Sequence, residues 1–487
     1  MCRREYSLLK YLIIIITFVC QSCLFAEAGT LSRISTNPES HLLLARGEGL
    51  NTAPLSVASR TRPLAALGSG FDLFREAINL VADHYVEKFS TGELLKMVMD
   101  KLVLIVLPQC VEGAERCPEE NQECFVRNIE MMSERCNLDI TRLLFAGLNI
   151  SLQELDPNSC VMDTGMLKEL EIGTSGKFGG VGMVVSARQG DYVVVSPFDG
   201  SPAYKAGIKA GDTILEIDGQ SLHGLPLLEV LRKVRGPAGT VMSVRVMDKK
   251  SRTVRHIRLQ RRMIRIPPVR FLSLGSQVGY LRIVNFQKGT AAEVYKALGQ
   301  GAGESSGLIL DLRDNPGGLF EEAIQVANLF KTSGIITSVK GRENSLNRDF
   351  RANGQYRLPQ IPLVILINKG TASASEILAG ALQGLSKVLV MGERSFGKAS
   401  VQLVFPLNRG MAVRLTTAHY YTADGRDIDG KGLEPDAILD DSDESLTKGR
   451  IDLLSSEQLK SDSDIRAALA YLHSGARPTR SPFSSLY

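Results

Sequence analysis

The spacing of apolar positions changes character twice along this chain. In "FDLFREAINLVADHYV" it sets Phe71, Phe74, Ile78 and Val81 or Ala82 on one helical face. Helical spacing recurs around Leu94–Leu107 and Cys124–Leu138 and in "ITRLLFAGLNISLQEL", so residues 71–165 are expected to form a helical N-terminal region. Past residue 172 the period shortens. "GVGMVVSA", "DYVVVSPF", "DTILEIDG" and "MSVRVMD" alternate or run apolar between Gly and Asp turns, which predicts strands. Ser201 and Pro202 open a short helix in "SPAYKAG", and "PLLEVLRKVRG" predicts a second over Leu227–Val234.

Beyond residue 263 the strands lengthen and alternate with helices. "LILDLRDNPGGLFEEAIQVANLF" and "PLVILINKGTASASEILAGALQ" each pass from a buried-type strand through a Gly or Ser turn into an amphipathic helix. Residues 263–440 therefore read as an α/β unit with its turns gathered at the strands' C-terminal ends, where sites form. Residues 441–487 read as a charged linker and a helical extension without visible chemistry.

A chain of 487 residues exceeds what one core serves, so several domains are expected and the fold class is multidomain α/β. The net charge is only +4, and no basic block interleaves with aromatics, which argues against nucleic acid as a partner. Arg3, Arg4 and Lys10 precede the apolar run "YLIIIITFVC", and "AEA" follows at 26–28, the pattern of a secretory signal peptide cleaved after Ala28. The protein is thus expected to be exported, to a periplasm. Residues 29–70 are rich in Ser, Thr, Pro, Gly and Arg and read as a flexible linker. Of the cysteines left after cleavage, Cys110, Cys117, Cys124 and Cys136 cluster closely enough for two local disulfides, with Cys160 apart; the pairing stays open. No CxxC pair or nearby histidine supports a zinc site.

The chemistry centres on "NKGTASASEILAG", where Thr371, Ser373 and Ser375 alternate just before a helix. If that helix starts near Ala372, Ser373 and Ser375 point to nearly opposite sides. Ser373 then sits at the first turn, where unpaired amides favour developing negative charge, while Ser375 reads as structural and Thr371 as a cap. No GxSxG elbow is present. Downstream, "ERSFGKASVQ" carries Lys398 and, four positions on, Gln402. A lysine acts as general base only when neutral, so it must be desolvated from its ordinary pKa of about 10.4. Serine with lysine is an established alternative to serine with histidine. His419 stands in a strand-like run and reads as structural, as does His84.

"DGSPAYKAGIKAGDTILEIDGQSL" and the order of small strands and helices around it resemble a PDZ domain, which implies a small β-barrel with two helices. That resemblance implies capture of a free C-terminus. The tail adds beside an edge strand while the loop of "FGGVGMVV" holds its carboxylate, with Gly179, Gly180, Val181 and Gly182 as the binding residues.

Eight blocks occur in order over roughly residues 71–440. They are "LDPNS", "FGGVGMVV", the PDZ segment, "VGYLRIVNF", "LILDLRDNPGG", "LVILINKGTASASEILAGALQ", "GERSFGKASVQ" and "YYTADGRDIDGKGLEPDAIL". Together they resemble the carboxyl-terminal processing (tail-specific) proteases. The resemblance implies a PDZ domain at 172–262 and a serine protease core of ClpP/crotonase-like type at 263–440. It makes Ser373 the nucleophile, Lys398 the base and Gln402 the residue that orients the lysine. The oxyanion hole would come from the amide of Ala374 and one in the "NPGG" turn, Gly317 or Gly318. Two glycines there suit close approach of a substrate carbonyl.

This chain departs from the family's pattern at Asn158, where the family commonly has histidine, at Gly384, commonly acidic, and in the cysteine cluster. The resulting expectation is an exported serine endopeptidase acting on proteins or peptides with free apolar C-terminal tails. No metal or other cofactor is implied, and an activating or adaptor protein would be a further partner. The alternative is a PDZ scaffold with an inactive core, against which the intact Ser373, Lys398 and Gln402 argue.

Overall fold

The structure, a computed structural model, describes residues 69–474 except 119–120, 189, 199, 276, 302–304, 355–360 and 440–454, together with Ile15 and Ile16. The expected signal peptide, its cleavage point and residues 29–68 of the linker otherwise lie outside the described residues. The first helix, Ser69–His84, reaches back two residues into the expected linker; Gly70 lies so close to Thr141 that only a glycine fits there. Among the described residues no helix is long and apolar enough to cross a membrane.

The chain folds as two compact units, Ser175–Pro267 and the remainder. The larger unit is built on a six-stranded sheet in the order Val269–Ser273, Val278–Ile283, Gly307–Asp311, Leu363–Ile367, Val388–Gly392, Ala437–Ile438. Only its first pair is antiparallel. Successive strand residues point to opposite faces. Leu308, Leu310, Ile365 and Ile367 meet the helices Thr290–Gly301, Phe320–Phe330 and Ala374–Leu382 on one side. Tyr280, Ile309, Val364 and Leu366 meet Leu459, Ile465 and Ala468 on the other. This two-sided burial is why "LVILI" is apolar at every position. The C-terminal extension, expected as a linker and one helix, supplies two helices, Ser456–Lys460 and Ser463–Ser474, and covers that second face.

A second, antiparallel sheet runs Arg348–Arg351, Ile335–Gly341, Ala412–Tyr421, Ser400–Pro406, with Cys160–Met162 also pairing on Ala412–Tyr421. Val413 and Leu415 of this sheet are buried against the N-terminal helices, among them Thr91–Ile105, Gln122–Cys136 and Ile140–Leu155. The disulfides pair Cys110 with Cys136 and Cys117 with Cys124, and Cys160 lies buried outside both. Closing the 26-residue separation between Cys110 and Cys136 is worth about 3 to 4 kcal/mol in the chain-entropy picture.

In the smaller unit the sheet runs Met183–Arg188, Asp191–Pro197, Thr213–Ile217, Val241–Met247, Val254–Gln260, so Met183–Arg188 is an edge strand. The unit continues past residue 262 because Arg262–Arg265 pairs with Lys177–Gly180. Gly179 and Gly180, expected in a loop, lie in that strand. A Cβ on Gly179 would fall 2.1 Å from the Gly236 carbonyl oxygen, so the two backbones meet only through glycine. The turn itself falls at Val181–Gly182, where Gly182 has φ +73° and its carbonyl accepts from Ser201 Oγ at 2.8 Å.

A buried charge cluster joins the C-terminal extension to the sheet. Arg313, 3% exposed, donates to both Asp311 oxygens, to Asp462 at 3.0 Å and to Asp464 at 2.8 Å. Arg282 approaches Asp311 at 3.3 Å, and the Tyr280 hydroxyl donates to it at 2.8 Å. Burial alone would raise the Asp311 carboxyl; the charges of Arg313 and Arg282 overcome this and hold it at about 2. Its stabilising contribution is therefore complete above the unfolded pKa of about 3.9 and is lost as pH falls toward 2. Removing one partner of such a cluster leaves buried charge uncompensated. Asp462→Ala is expected to cost about 3 kcal/mol, measured as a lower urea midpoint, and to raise the pH at which the protein unfolds in acid. An unchanged midpoint would show that the extension is not held by this cluster.

Candidate active site

The apolar strand Leu363–Ile367 drives the chain to the end of the central sheet, and Gly370 then lets it turn back against Asp314. The helix that follows begins at Ala374 and not near Ala372, with Ser373 as its N-cap at φ +61°, ψ −119°. That left-handed conformation is costly for a residue with a Cβ and persists only where the surroundings enforce it.

The three hydroxyls of the turn have different fates. Thr371 Oγ1 donates to the Leu312 carbonyl at 2.8 Å and accepts from Asn368 N at 2.9 Å. Ser375 Oγ donates to the Asn315 carbonyl at 2.9 Å. Both brace the neighbouring "RDNPGG" turn. Ser373 Oγ is buried and, among the described residues, has no hydrogen-bond partner.

What enforces the turn is Glu376, which is fully buried. Its carboxylate accepts from Ser373 N at 2.6 Å, Gly397 N at 2.7 Å, Lys398 N at 2.9 Å and the Ser395 hydroxyl. Burial pushes this carboxyl above its ordinary range, and the four donors act against that rise. The Tyr420 hydroxyl, also buried, lies 2.5 Å from the Lys398 carbonyl oxygen and 3.1 Å from that of Ser373. Two buried groups thus tie the backbones of Ser373 and Lys398 together. Lys398 itself sits where the "SFGKAS" loop enters the antiparallel strand Ser400–Pro406. Gly397, at φ +87°, would place a Cβ 2.5 Å from Gly432 N, so the loop packs directly on the "DGKG" segment.

Gln402 is buried, and its Nε2 donates to Thr416 Oγ1 at 3.3 Å; Thr416 Oγ1 in turn donates to Asp156 at 3.0 Å. Asn158 Nδ2 reaches Ser400 Oγ at 3.1 Å, so the "LDPNS" segment braces the lysine's strand. Gly384 lies beyond the helix end at φ +85° with open space around it, a conformation an acidic residue would adopt only under strain. In the "NPGG" turn, Gly317 has φ +102° and its Cα faces Ser373 Cβ and Ala374 N, where a Cβ would come within 2.8 and 2.9 Å. The Gly317 N–H donates to Asn315 Oδ1 at 2.9 Å. The Ala374 N–H, at the first position of its helix, has no intrahelical acceptor.

A cleft of about 500 Å³ opens beside these groups, lined by Tyr85, Asp156, Pro316, Ala372, Lys398 and His419 among others. His419, read from sequence as structural, stands on the cleft wall with Nδ1 3.7 Å from Asp429. Glu376 and Tyr420 were not singled out in the sequence. For Glu376 a signal was present, since "SASE" has the Ser-x-x-Glu spacing of a capping box.

Residues 277–439 match the model of peptidase family S41, and residues 193–247 match that of a PDZ domain. The chain is 38% identical over 307 residues to a carboxy-terminal-processing protease of Bartonella bacilliformis, covering 62% of this chain and 70% of that one. It is 34% identical over 338 residues to the chloroplastic C-terminal processing peptidase of Tetradesmus obliquus, covering 66% and 71%. Among solved structures it is similar to a photosystem II D1 C-terminal processing protease at 30% identity, covering 77% and 94%, with a TM-score of 0.46. Fold, site and relatives together define a serine-type peptidase with a PDZ domain. The chain belongs to the carboxyl-terminal processing proteases of peptidase family S41.

Glu376→Gln replaces an acceptor of four donors with an amide that must donate as well. It is expected to lower kcat by roughly 100-fold, as a misplaced reacting group does, with KM little changed. A kcat within a factor of about two of wild type would show that Glu376 does not set the geometry of the Ser373 turn that activity needs.

Proposed function

We propose that this protein is an exported serine endopeptidase that captures the C-terminal tail of a protein substrate in its PDZ domain and cleaves through a Ser373/Lys398 dyad. The observation that carries this reading is the fate of the three hydroxyls. Those of Thr371 and Ser375 are committed to backbone oxygens, and that of Ser373 has no partner among the described residues, on a turn held in a strained conformation. In the proposed cycle neutral Lys398 takes the Ser373 proton and Ser373 Oγ attacks the scissile carbonyl. The protonated lysine then delivers that proton to the leaving amine. A water, deprotonated by Lys398, hydrolyses the acyl-enzyme.

The oxyanion would be met by the amide of Ala374 with that of Gly318, because the Gly317 N–H is engaged by Asn315. Each such donor contributes about 10²–10³ in rate. Gln402 would act from the strand that follows the lysine, its own position fixed through Thr416 and Asp156. Two disulfides support an oxidising, exported compartment. The tail would add to the exposed edge of Met183–Arg188, opposite helix Leu227–Val234, with its carboxylate at the Gly179, Gly180, Val181 and Gly182 backbone.

The test uses protein beginning at Gly29 and an unfolded reporter with an apolar C-terminal tail. Ser373→Ala and Lys398→Ala are each expected to abolish cleavage, Ser375→Ala to retain most of it, and amidation of the reporter's C-terminus to raise KM. The rate should climb with pH over the range in which the lysine loses its proton. Cleavage surviving in Ser373→Ala would sink the dyad. Wild type that binds the tail at every pH without cutting it would make the protein a scaffold.

A further inference from the structure

Charge is distributed very unevenly along this chain. Between Ser175 and Pro267 the sequence holds sixteen Lys and Arg against seven Asp and Glu, a surplus of nine; with the whole chain at +4, the remainder stands at −5. The acids of the smaller unit are largely consumed internally. Asp212 pairs with Arg255 at 3.2 Å, Glu216 pairs with Arg245, and Asp248 accepts the turn amides of Lys250 and Ser251 at 2.9 Å each.

The surplus concentrates on one hairpin, Val241–Met247 paired with Val254–Gln260. Its inner side chains, Met242, Val244, Val246 and Leu259, are buried in the core of the unit. The opposite face carries Val241, Ser243, Arg245 and Met247 across from Gln260, Arg258, His256 and Val254. With seven paired positions it extends about 20 Å. The connecting turn adds Lys249, Lys250 and Arg252, so beyond Arg245 and Arg255, which pair with Glu216 and Asp212, the hairpin holds four further cations and one acid of its own, Asp248. At its open end Arg232, Lys233 and Arg261 line a cleft of about 440 Å³ in which Asp218 is the one carboxylate.

Large apolar side chains stand exposed among these charges: Val241 at 51% and Val254 at 44%. A flat face mixing cations with protruding apolar groups suits adsorption to the headgroup region of an anionic bilayer. Val241 and Val254 stand at opposite ends of the hairpin, so they do not combine into the apolar centre of a protein interface. An extended negative surface would also attract this unit while repelling the net negative remainder, which gives the charge separation a physical use.

We propose that the hairpin Val241–Gln260 is a membrane-docking face that adsorbs the protein to anionic lipid. Docking there would concentrate the peptidase where membrane-bound substrates expose their tails. The inference stands independently of the dyad, since adsorption needs no catalysis.

The experiment uses the chain from Gly29 with Ser373→Ala, sedimented with vesicles of phosphatidylcholine alone or mixed with phosphatidylglycerol, at low and high salt. Binding is expected only to the anionic vesicles and only at low salt. Lys250→Glu, Arg252→Glu and Arg258→Glu combined should lower partitioning by about 100-fold, and Val254→Ser should weaken it further. The same triple change in the unmutated enzyme should leave cleavage of a soluble reporter unaltered, which verifies the fold. Equal binding to both vesicle types, no binding to either, or an unaltered triple variant overturns the proposal. So does a polyglutamate peptide that binds this face while vesicles do not, since the partner is then an acidic polypeptide.

Discussion

One buried carboxylate holds the site together. Glu376 gathers the amide of Ser373, those of Gly397 and Lys398 and the Ser395 hydroxyl onto two oxygens, and so fixes the distance between loops that arise on different sheets. The Ser373 turn grows from the parallel sheet, whereas the Lys398 loop leads into the antiparallel one. Neither could hold its position alone: Ser373 sits at a φ that ordinary residues avoid, and the glycines around Lys398 offer no side-chain packing. A buried acid without donors would be intolerable, and four unpaired donors would be equally so. The mutual dependence makes the arrangement close to all-or-none.

Around this anchor the surrounding hydroxyls serve as struts. Thr371 and Ser375 bind carbonyls of the 312–315 segment, so the turn bearing Gly317 and Gly318 is attached to the turn bearing Ser373 from both sides. Asn315 completes the link by accepting from Gly317 N and passing its own carbonyl to Ala372 N at 3.0 Å. Two of the three alternating hydroxyls are thus braces between neighbouring turns.

The features legible in the sequence are those made by neighbours along the chain. Apolar periodicity marked the strands and helices, the strand-turn-helix order marked the site, and the cysteine cluster marked the two disulfides. Features made by distant residues were not legible. Tyr420 spans from its strand to Ser373 and Lys398, 47 and 22 residues away, and nothing local distinguishes it from Tyr421. His419 looked structural because alternation in a strand does not reveal which face borders a cleft. The C-terminal extension looked inert because covering a sheet requires only Leu459, Ile465 and Ala468 at the correct places, a pattern too sparse to read. Glu376 is the exception, since its capping-box spacing was local and visible.

The cover over the second face of the sheet also imposes an order in time. Strands between Val278 and Gly392 precede Leu459, Ile465 and Ala468 along the chain, and until those pack Ile309, Val364 and Leu366 lack their apolar cover. Arg313, which immediately precedes the Asp314–Gly318 turn, likewise waits for Asp462. The larger unit therefore lacks part of its core until the C-terminal extension packs. The segments that carry Ser373 and Lys398 thus gain their full packing only when the helices Ser456–Lys460 and Ser463–Ser474 have docked.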